Sequence, residues 1–560
     1  MRLPRHRDQG GLSLTYSSDR FVKEKYDGDG VLVEYSVVHD DDFNFGYDVV
    51  DEIARKDPGK KALIWRSESG EEHVFTFADI ERESNRAANY LKSLGIAKGD
   101  KVMLVLKQRY EFWIVIVALH KMGAVPIPAT HMLKKHDVEY RVNAASVKAV
   151  VCTSQTSIVD AVDEAEDIPT LKTKIVVGEP RDGWRHYDSE VTGFPTEWSR
   201  VPTKATDTMI IYFTSGTSGN PKMALHDFRY PLGHIMTAKH WHRVDPDGIH
   251  FTVSDTGWAK SVWGKLYGQW IMEAAVFVYE YERFVPSDIL SLIEEYKITT
   301  FCCPPTMFRL YLNAGLDGHD LSSLRNCCIA GEALNPDTFK IWKEKTGLML
   351  MEGFGQTETP VVIGNIKGTV PKPGSMGKPL PQYRVWLMGE DGNECSPGEH
   401  GEIVIDIHGS PPGIMRGYYR DSETTAKVHK GGLHHTGDVA WMDEDGYFWF
   451  VGRNDDIIKS SGYRISPFEI ESVLVCHPAV LECAVTGVPD PVRGQLVKAT
   501  VVLKDGNAPC DALAKEMQNY VKAHTAPYKY PRVVEFVDAL PKSTSGKIKR
   551  VDIRVKDAGA

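Results

Sequence analysis

Short apolar runs alternate with amphipathic stretches along most of this chain. Asp79 to Leu94 carries apolar residues at helical spacing and stops at Gly95, which predicts a helix closed by a glycine. KVMLVL (Lys101 to Leu106) is a continuous apolar run and predicts a buried strand. Gln108 to Met122 predicts a second helix ending at Gly123, and AVPIPA a short strand after it. The rhythm returns in KAVVC, in TKIVVG and in the TMIIYF run at Thr208 to Phe213. Strands alternating with helices predict an α/β fold.

The pattern restarts near residue 455, after the strand-like GYFWFVGR. AVLECAVTGV, KATVVLK and RVVEFV then supply the strands of a small α+β unit. At 560 residues the chain is too long for one hydrophobic core, so two units are expected. They are expected as a large N-terminal α/β domain, residues 1–454, and a small C-terminal α+β domain, residues 455–560.

A hydrophobic content of 42% and a charged content of 25% are ordinary for a globular protein. The most apolar stretch, Trp113 to Leu119, is closed by His120 and Lys121, too short to span a bilayer. No membrane span is expected. The N-terminus, MRLPRHRDQGG, has no apolar core behind its charges and does not resemble a secretory signal. Arg2, Arg5 and Arg7 suit a mitochondrial presequence, while Asp8, Asp19 and Glu24 oppose one. The cytoplasm is the expectation and the mitochondrial matrix the alternative.

The nine cysteines form no CxxC, and the vicinal pairs Cys302/Cys303 and Cys327/Cys328 lie inside apolar runs. They read as reduced core residues rather than a metal or disulfide framework. A net charge of −10 argues against nucleic acid as a partner. The oligomeric state stays open, a homodimer included.

Candidate chemistry begins at YFTSGTSGNPK, Tyr212 to Lys222. A strand runs into a loop of glycines and hydroxyls that ends on a lysine. Small residues admit a phosphate close to the backbone, and N–H groups, hydroxyls and an ammonium supply donors. Pro221 and Met223 flank Lys222, so the Walker GK[ST] is absent, which sets aside P-loop motors and kinases.

The string TSGTSGNPK resembles the phosphate loop of the adenylate-forming superfamily. Further matches follow in that family's order: GEALN (Gly331 to Asn335), EGFGQTE (Glu352 to Glu358), HTGD (His435 to Asp438), GRNDDIIKSSGYRISPFEIE (Gly452 to Glu471) and PKSTSGKIKR (Pro541 to Arg550). The C-terminal strings HPAVLECAVTGVPDPVRGQLVKATVVL and TAPYKYPRVVEFV resemble medium-chain acyl-CoA synthetases in particular.

The resemblance implies an AMP-forming acyl-CoA synthetase that uses ATP, Mg²⁺ and coenzyme A. It assigns the ATP/AMP contacts to Thr214, Ser215, Gly216, Thr217, Ser218 and Gly219 in the loop, and to Gly331, Glu332 and Ala333. Glu352, Gly353, Phe354, Gly355 and Gln356 follow, with Asp438 and Arg453 on the ribose side and Arg464 near the phosphates. Catalysis falls to Lys222, Thr357, Glu358 and Lys547, with Glu358 also the Mg²⁺ ligand. On the residues alone a surface carboxylate is the lesser reading of Glu358, whereas Lys547 reads first as part of a solvated basic tail, and only the resemblance reverses that. The resemblance also implies that the N-terminal domain is multi-subdomain and the C-terminal domain mobile. The family's domain rotation assigns Asp455 as hinge, and Ser461, Gly462, Tyr463, Arg493, Lys522 and Tyr530 as the coenzyme A face.

The resemblance places the acyl pocket around Trp258, Gly331 and Gly355. Acetate-specific relatives close that pocket with a tryptophan before QTE. Here the position is Gly355, which is expected to leave room for a longer, branched or cyclic chain. Lys260 and Trp263 depart from the mostly apolar stretch of the animal enzymes. Trp263 is expected to shorten the pocket. Lys260 either faces solvent, the commoner state of a helix lysine, or points in and meets a polar acyl group or stiffens the wall.

Two other readings remain. One is an adenylation enzyme that loads an amino or aryl acid onto a carrier protein, for which Asp255 lies near the amine-binding turn but the coenzyme A-like C-terminus does not fit. The other is a nucleotide-binding pseudo-enzyme, which would be expected to lack Lys547, Glu358 or Thr357, and all are present.

Overall fold

The computed structural model describes residues 16–214, 220–331, 336–461, 463–542 and 548–558, the Arg464 side chain excepted. Ser215, Gly216, Thr217, Ser218, Gly219, Glu332, Ala333, Gly462 and Lys547 lie outside the described residues.

The first predicted helix runs Phe77–Ser93, beginning upstream of the expected Asp79. Thr76 is its cap: the Asp79 N–H donates to the Thr76 hydroxyl at 3.1 Å and the Thr76 N–H to the Asp79 carboxylate at 2.9 Å. The second helix is Glu111–Met122, and every residue in it is buried. Such an all-round apolar helix belongs inside a core. Gly123 ends it in the left-handed region at φ 68°, a conformation that glycine takes without a Cβ clash. Gln108, expected inside this helix, lies in the preceding turn, where its amide donates to the Ser254 carbonyl at 2.7 Å.

Two large sheets flank this helix. One orders its strands Val125–Pro128, Lys101–Val105, Val147–Thr153, Thr173–Val177 and Arg185–His186, all parallel. The other is parallel from Leu350–Gly355 through Asn326–Ile329, Thr300–Cys303, Ile249–Thr252 and Ala275–Glu280 to Lys61–Ser67, with antiparallel strands at its edges. The helix Glu111–Met122 shares one hydrophobic cluster with residues of both sheets, among them Val102 and Leu104 of the first and Leu63 and Trp65 of the second. Cys302 and Cys328 are register partners on neighbouring strands of the second sheet, and both are buried and free.

An antiparallel sheet that includes His400–Asp406, Leu433–Met442 and Phe448–Arg453 completes the large unit. Beyond the turn at 454–457, strands Ile458–Ser460, Tyr463–Ile465, Val480–Asp490, Gly494–Leu503 and Val533–Phe536 pair with one another around a separate core. The protein is therefore α/β with a distinct small C-terminal unit. Among the described residues no helix is long and apolar enough to cross a membrane.

Candidate functional site

The strand Thr208–Thr214, rich in β-branched and aromatic residues, pairs antiparallel with Lys222–Asp227 and closes on the Thr214–Lys222 pair. The hairpin thus holds both ends of the glycine–hydroxyl loop together. Lys222 lies 5.3 Å over the ring of Tyr418, which stands on a short strand paired with the same hairpin. The Tyr418 hydroxyl donates to Oε1 of Glu358 at 2.9 Å. Burial, then the Glu358 charge, raises the Tyr418 phenol's pKa, so it stays a donor. Lys222 and Glu358, far apart in sequence, are thereby joined through a tyrosine that the sequence reading missed. Its signal was the aromatic pair in RGYYR, which carries no charge to attract notice.

Gln356 donates from Nε2 to the Thr436 carbonyl at 2.9 Å and also reaches the Asp438 carboxylate. Arg453 donates to the same carbonyl at 3.0 Å and lies 3.5 Å from Asp438, its cross-strand partner. Asp438 is only 5% exposed, so its carboxylate is held by the ladder rather than by water. Gly437, at φ 71°, lets the guanidinium in: a Cβ there would lie 2.9 Å from Arg453 Nη2. The Thr357 carbonyl accepts from His226 Nε2 at 2.8 Å. Burial drops the His226 pKa to about 4, so the ring is a neutral donor that fixes this turn.

Leu350–Gly355 brings Glu352, Gly353, Phe354 and Gly355 to the same edge, with Glu352 buried and the Phe354 ring 6.5 Å from Phe450. Gly331, at φ 101°, follows the strand Asn326–Ile329, with open space where a Cβ would stand.

Trp258 leads into the helix Ala259–Lys265, and its backbone is extended. Lys260 points inward, not to solvent: its Nζ donates to the Ala330 carbonyl at 2.8 Å. Trp263 is buried and donates to the Tyr230 hydroxyl at 3.2 Å. Its ring lies against Gly355, where a Cβ would come within 2.7 Å of it. The indole thus narrows the space beside Gly355. Trp241 meets Gly353 in the same way, at 2.7 Å. Between these rings, Lys260, His242, Thr252, Gly264 and Cys302 line a gap too narrow for water. The sequence reading missed Trp241, His242 and Tyr230, since nothing in their local strings carries a motif.

In the C-terminal unit Ser461, at φ 51°, donates its N–H to the Arg493 carbonyl at 2.8 Å, and Arg493 Nη1 donates to the Ser461 hydroxyl at 3.3 Å. Tyr463, half exposed, stacks on Tyr528 at 4.1 Å. Lys522 lies 4.0 Å over Tyr530, whose ring also receives Arg532 at 4.7 Å. Lys522, Tyr530 and Arg532 thus form one half-buried cation–aromatic patch, and Tyr463 with Tyr528 an aromatic stack; Tyr528 and Arg532 are not among the assigned coenzyme A residues. Asp455 sits in the turn between the two units, 3.7 Å from Arg453 Nε. Its neighbour Asp456 pairs with Arg554, and with Arg550 at 3.8 Å.

A family profile described as AMP-binding enzyme matches residues 50–419, and one described as AMP-binding enzyme C-terminal domain matches residues 469–547. The chain is 42% identical to acyl-coenzyme A synthetase ACSM5, mitochondrial, of Mus musculus over 92% of its own length and 91% of the relative's. It is 41% identical to acyl-coenzyme A synthetase ACSM3, mitochondrial, of Pongo abelii, covering 92% and 90%. Among solved structures, the anthranilate CoA ligase AuaEII in complex with anthranoyl-AMP aligns at a TM-score of 0.84 and 29% identity, covering 93% of this chain and 98% of that one. The ordered motifs, the fold and these likenesses agree, and the chain belongs to the AMP-forming acyl-CoA synthetases of the adenylate-forming superfamily.

Proposed function

We propose that this acyl-CoA synthetase acts on a short-to-medium, branched or compact carboxylic acid, larger than acetate. The observation that carries this reading is the Trp263 ring against Gly355, which shortens the pocket from one wall.

An acid's carboxylate is already a nucleophile at neutral pH, so its attack on the α-phosphate of ATP needs no general base. It needs charge neutralisation and in-line positioning. In this reading Lys547 neutralises the α-phosphate region, and Lys222 with the donors of the loop after Thr214 holds the leaving pyrophosphate. Asp438 and Arg453 orient the ribose, while Thr357 and Gln356 face the reacting carboxylate.

A Mg²⁺ ion fits Glu358: one half-buried carboxylate, set beside the phosphate-loop hairpin by Tyr418, is the sparse oxygen donor set that this hard ion accepts when phosphates complete its shell. When bound it supplies charge neutralisation of the phosphates.

The acyl group then passes from adenylate to the coenzyme A thiol. Lys547 must leave for the thiol to approach, which assigns residues 1–454 and 455–560 to two bodies turning about Asp455. The turn carries Ser461, Gly462, Tyr463 and Arg464 toward the thiol's path. Arg493, Lys522 and Tyr530 then meet the phosphorylated adenosine of coenzyme A.

The relatives' names say mitochondrial, which supports the matrix over the cytoplasm. Fractionation of the source cells decides between them.

The deciding assay measures AMP release with ATP, Mg²⁺, coenzyme A and acids from C2 to C12, including branched and aromatic members. The expected optimum is a short branched or cyclic acid. A steady preference for straight C8–C12 acids sinks the short-pocket reading.

A further inference from the structure

One buried cation near the acyl pocket has no part in the reading above. Lys265 closes the helix Ala259–Lys265 and is 1% exposed. A lysine taken out of water is costly unless an anion meets it. Here both hydrogen-bond acceptors are neutral: Nζ donates to Oε1 of Gln108 at 2.6 Å and to the Ser254 carbonyl at 2.5 Å, with the Trp113 ring 5.7 Å below. Asp255 is the carboxylate whose charge acts on it, and it is engaged elsewhere, by the Gly257 N–H at 2.7 Å and the His131 ring at 3.3 Å. The other charges on the flanking bend are paired too, Lys107 with Glu282 at 2.6 Å and Arg109 with Glu111 at 2.7 Å.

The contacts of this ammonium converge on one segment. Gln108 Nε2 also donates to the Ser254 carbonyl, so that oxygen receives two donors, and Thr256 donates its hydroxyl to the Lys107 carbonyl. Gly257 packs so tightly that a Cβ would meet the Thr130 nitrogen at 2.3 Å. The turn Ser254 to Trp258 is thereby clamped to the bend after the strand Lys101–Val105 and to the backbone at Thr130. Trp258, at its end, donates its N–H to the Asp255 carbonyl at 3.2 Å and accepts at its own carbonyl from the Ser261 N–H at 2.9 Å, so its backbone is tied to the turn and to the helix that carries Lys265. What holds the turn therefore also holds the backbone from which the Trp258 side chain projects.

We propose that Lys265 is a positioning residue for acid specificity: from inside the core it ties the Ser254–Trp258 turn to the Lys107–Gln108 bend and so fixes the wall formed by Trp258. This rests on the reading of Trp258 as a pocket residue. Burial supports a pH-dependent version of the same role, since it lowers the Lys265 pKa to about 7, and deprotonation removes the charge that strengthens both hydrogen bonds and the contact with the Trp113 ring.

The test uses the full-length enzyme with Lys265→Met, Gln108→Glu and Trp258→Phe. Displacement of a binding wall by about an ångström costs up to ~100-fold, and a partial shift is expected to raise the acid KM of Lys265→Met about tenfold. The KM for ATP should stay within about twofold, and the ratio of kcat/KM for branched over straight acids should fall. In wild type the acid KM should change across neutral pH, and this change should vanish in Lys265→Met. Gln108→Glu supplies the missing anion and keeps an acceptor for Nζ. It also removes the Nε2 donor to the Ser254 carbonyl, so the acid preference should shift part of the way while the pH inflection moves upward, and it carries the test if the methionine variant does not fold. A folded Lys265→Met with unchanged acid KM, preference and pH profile overturns the proposal, as does an unmoved inflection in Gln108→Glu. If Trp258→Phe leaves acid preference unchanged, the assignment of Trp258 to the pocket fails. If preference shifts there but not in Lys265→Met, the positioning role alone fails.

Discussion

The nucleotide end and the acyl end of this site are built on opposite principles. At the nucleotide end, polar groups hold polar groups: Asp438, Arg453, Gln356 and the Thr436 carbonyl form one network, and Lys222, Tyr418 and Glu358 another. At the acyl end, indoles press into glycines, and the space between them is what packing leaves over. The first arrangement fixes where charges stand. The second fixes only a shape, and shape is altered more cheaply than charge.

The sharpest way to break this contrast is at Lys547, the lysine to which catalysis is assigned in the proposed function. Lys547→Ala is expected to lower the adenylation rate by about 10²–10³, the usual loss for one transition-state charge donor. Thioester formation from a preformed acyl-adenylate should persist in single-turnover assays. Equal loss of both halves would refute the alternation of the two bodies.

Asp438→Ala should come next. Hydrogen bonds to a charged group are worth about 1.5–3 kcal/mol, so kcat/KM for ATP should fall about 10–100-fold with the acid KM unmoved. A matching rise in acid KM would mean that the two ends are not separable.

Trp263→Leu tests the acyl end. A methylene's worth of pocket is about 1–3 kcal/mol, so straight C6–C8 acids should gain about tenfold or more relative to branched ones, with ATP parameters unaltered. Competition assays with paired acids read this directly.

Tyr418→Phe should have a smaller effect, about threefold to tenfold in kcat, because Glu358 is half-buried and water replaces part of the lost hydrogen bond. The Mg²⁺ concentration for half-maximal rate should rise.

The last effect expected is one of pH on stability. The unfolded Lys265 titrates near 10.5 and the folded one at about 7, so between these values the unfolded state binds more protons. Stability therefore rises with pH through that window, and the burial penalty is complete below it. The Tm difference between Lys265→Met and wild type should favour the variant most below pH 7 and shrink as pH climbs toward 10. Calorimetry across that range checks the sign.

The same contrast explains what was legible in the chain. The nucleotide end announces itself because its groups sit in compact strings, with Gly437 beside Asp438 and the glycines beside Lys222. Tyr418 escaped because its role is to join Lys222 to Glu358 across 196 and 60 residues of chain, respectively. At the acyl end Trp258 and Trp263 were visible, but what Trp263 touches was not. Trp241 was hidden further by its setting in a π-helix, Thr237–His242, whose register departs from the usual helical period. Helix starts were misjudged for local reasons: the Thr76 capping box draws one forward, and Gln108 is spent on a tertiary contact. Lys260 and Lys265 show the limit of reading by residue type, because both turn inward where a helix lysine ordinarily faces water.

The pairing of Gly355 with Trp263 also constrains the order in which this pocket can change. Even an alanine at 355 would come within 2.2 Å of the Pro360 carbonyl and 2.7 Å of the indole. A lineage that moved pocket closure from one wall to the other would therefore have to shed the indole first, relax the Pro360 backbone, and only then install bulk at 355. Its intermediate members would have had neither plug. They would have been generalists, and the narrow enzymes on either side would be connected only through that permissive ancestor.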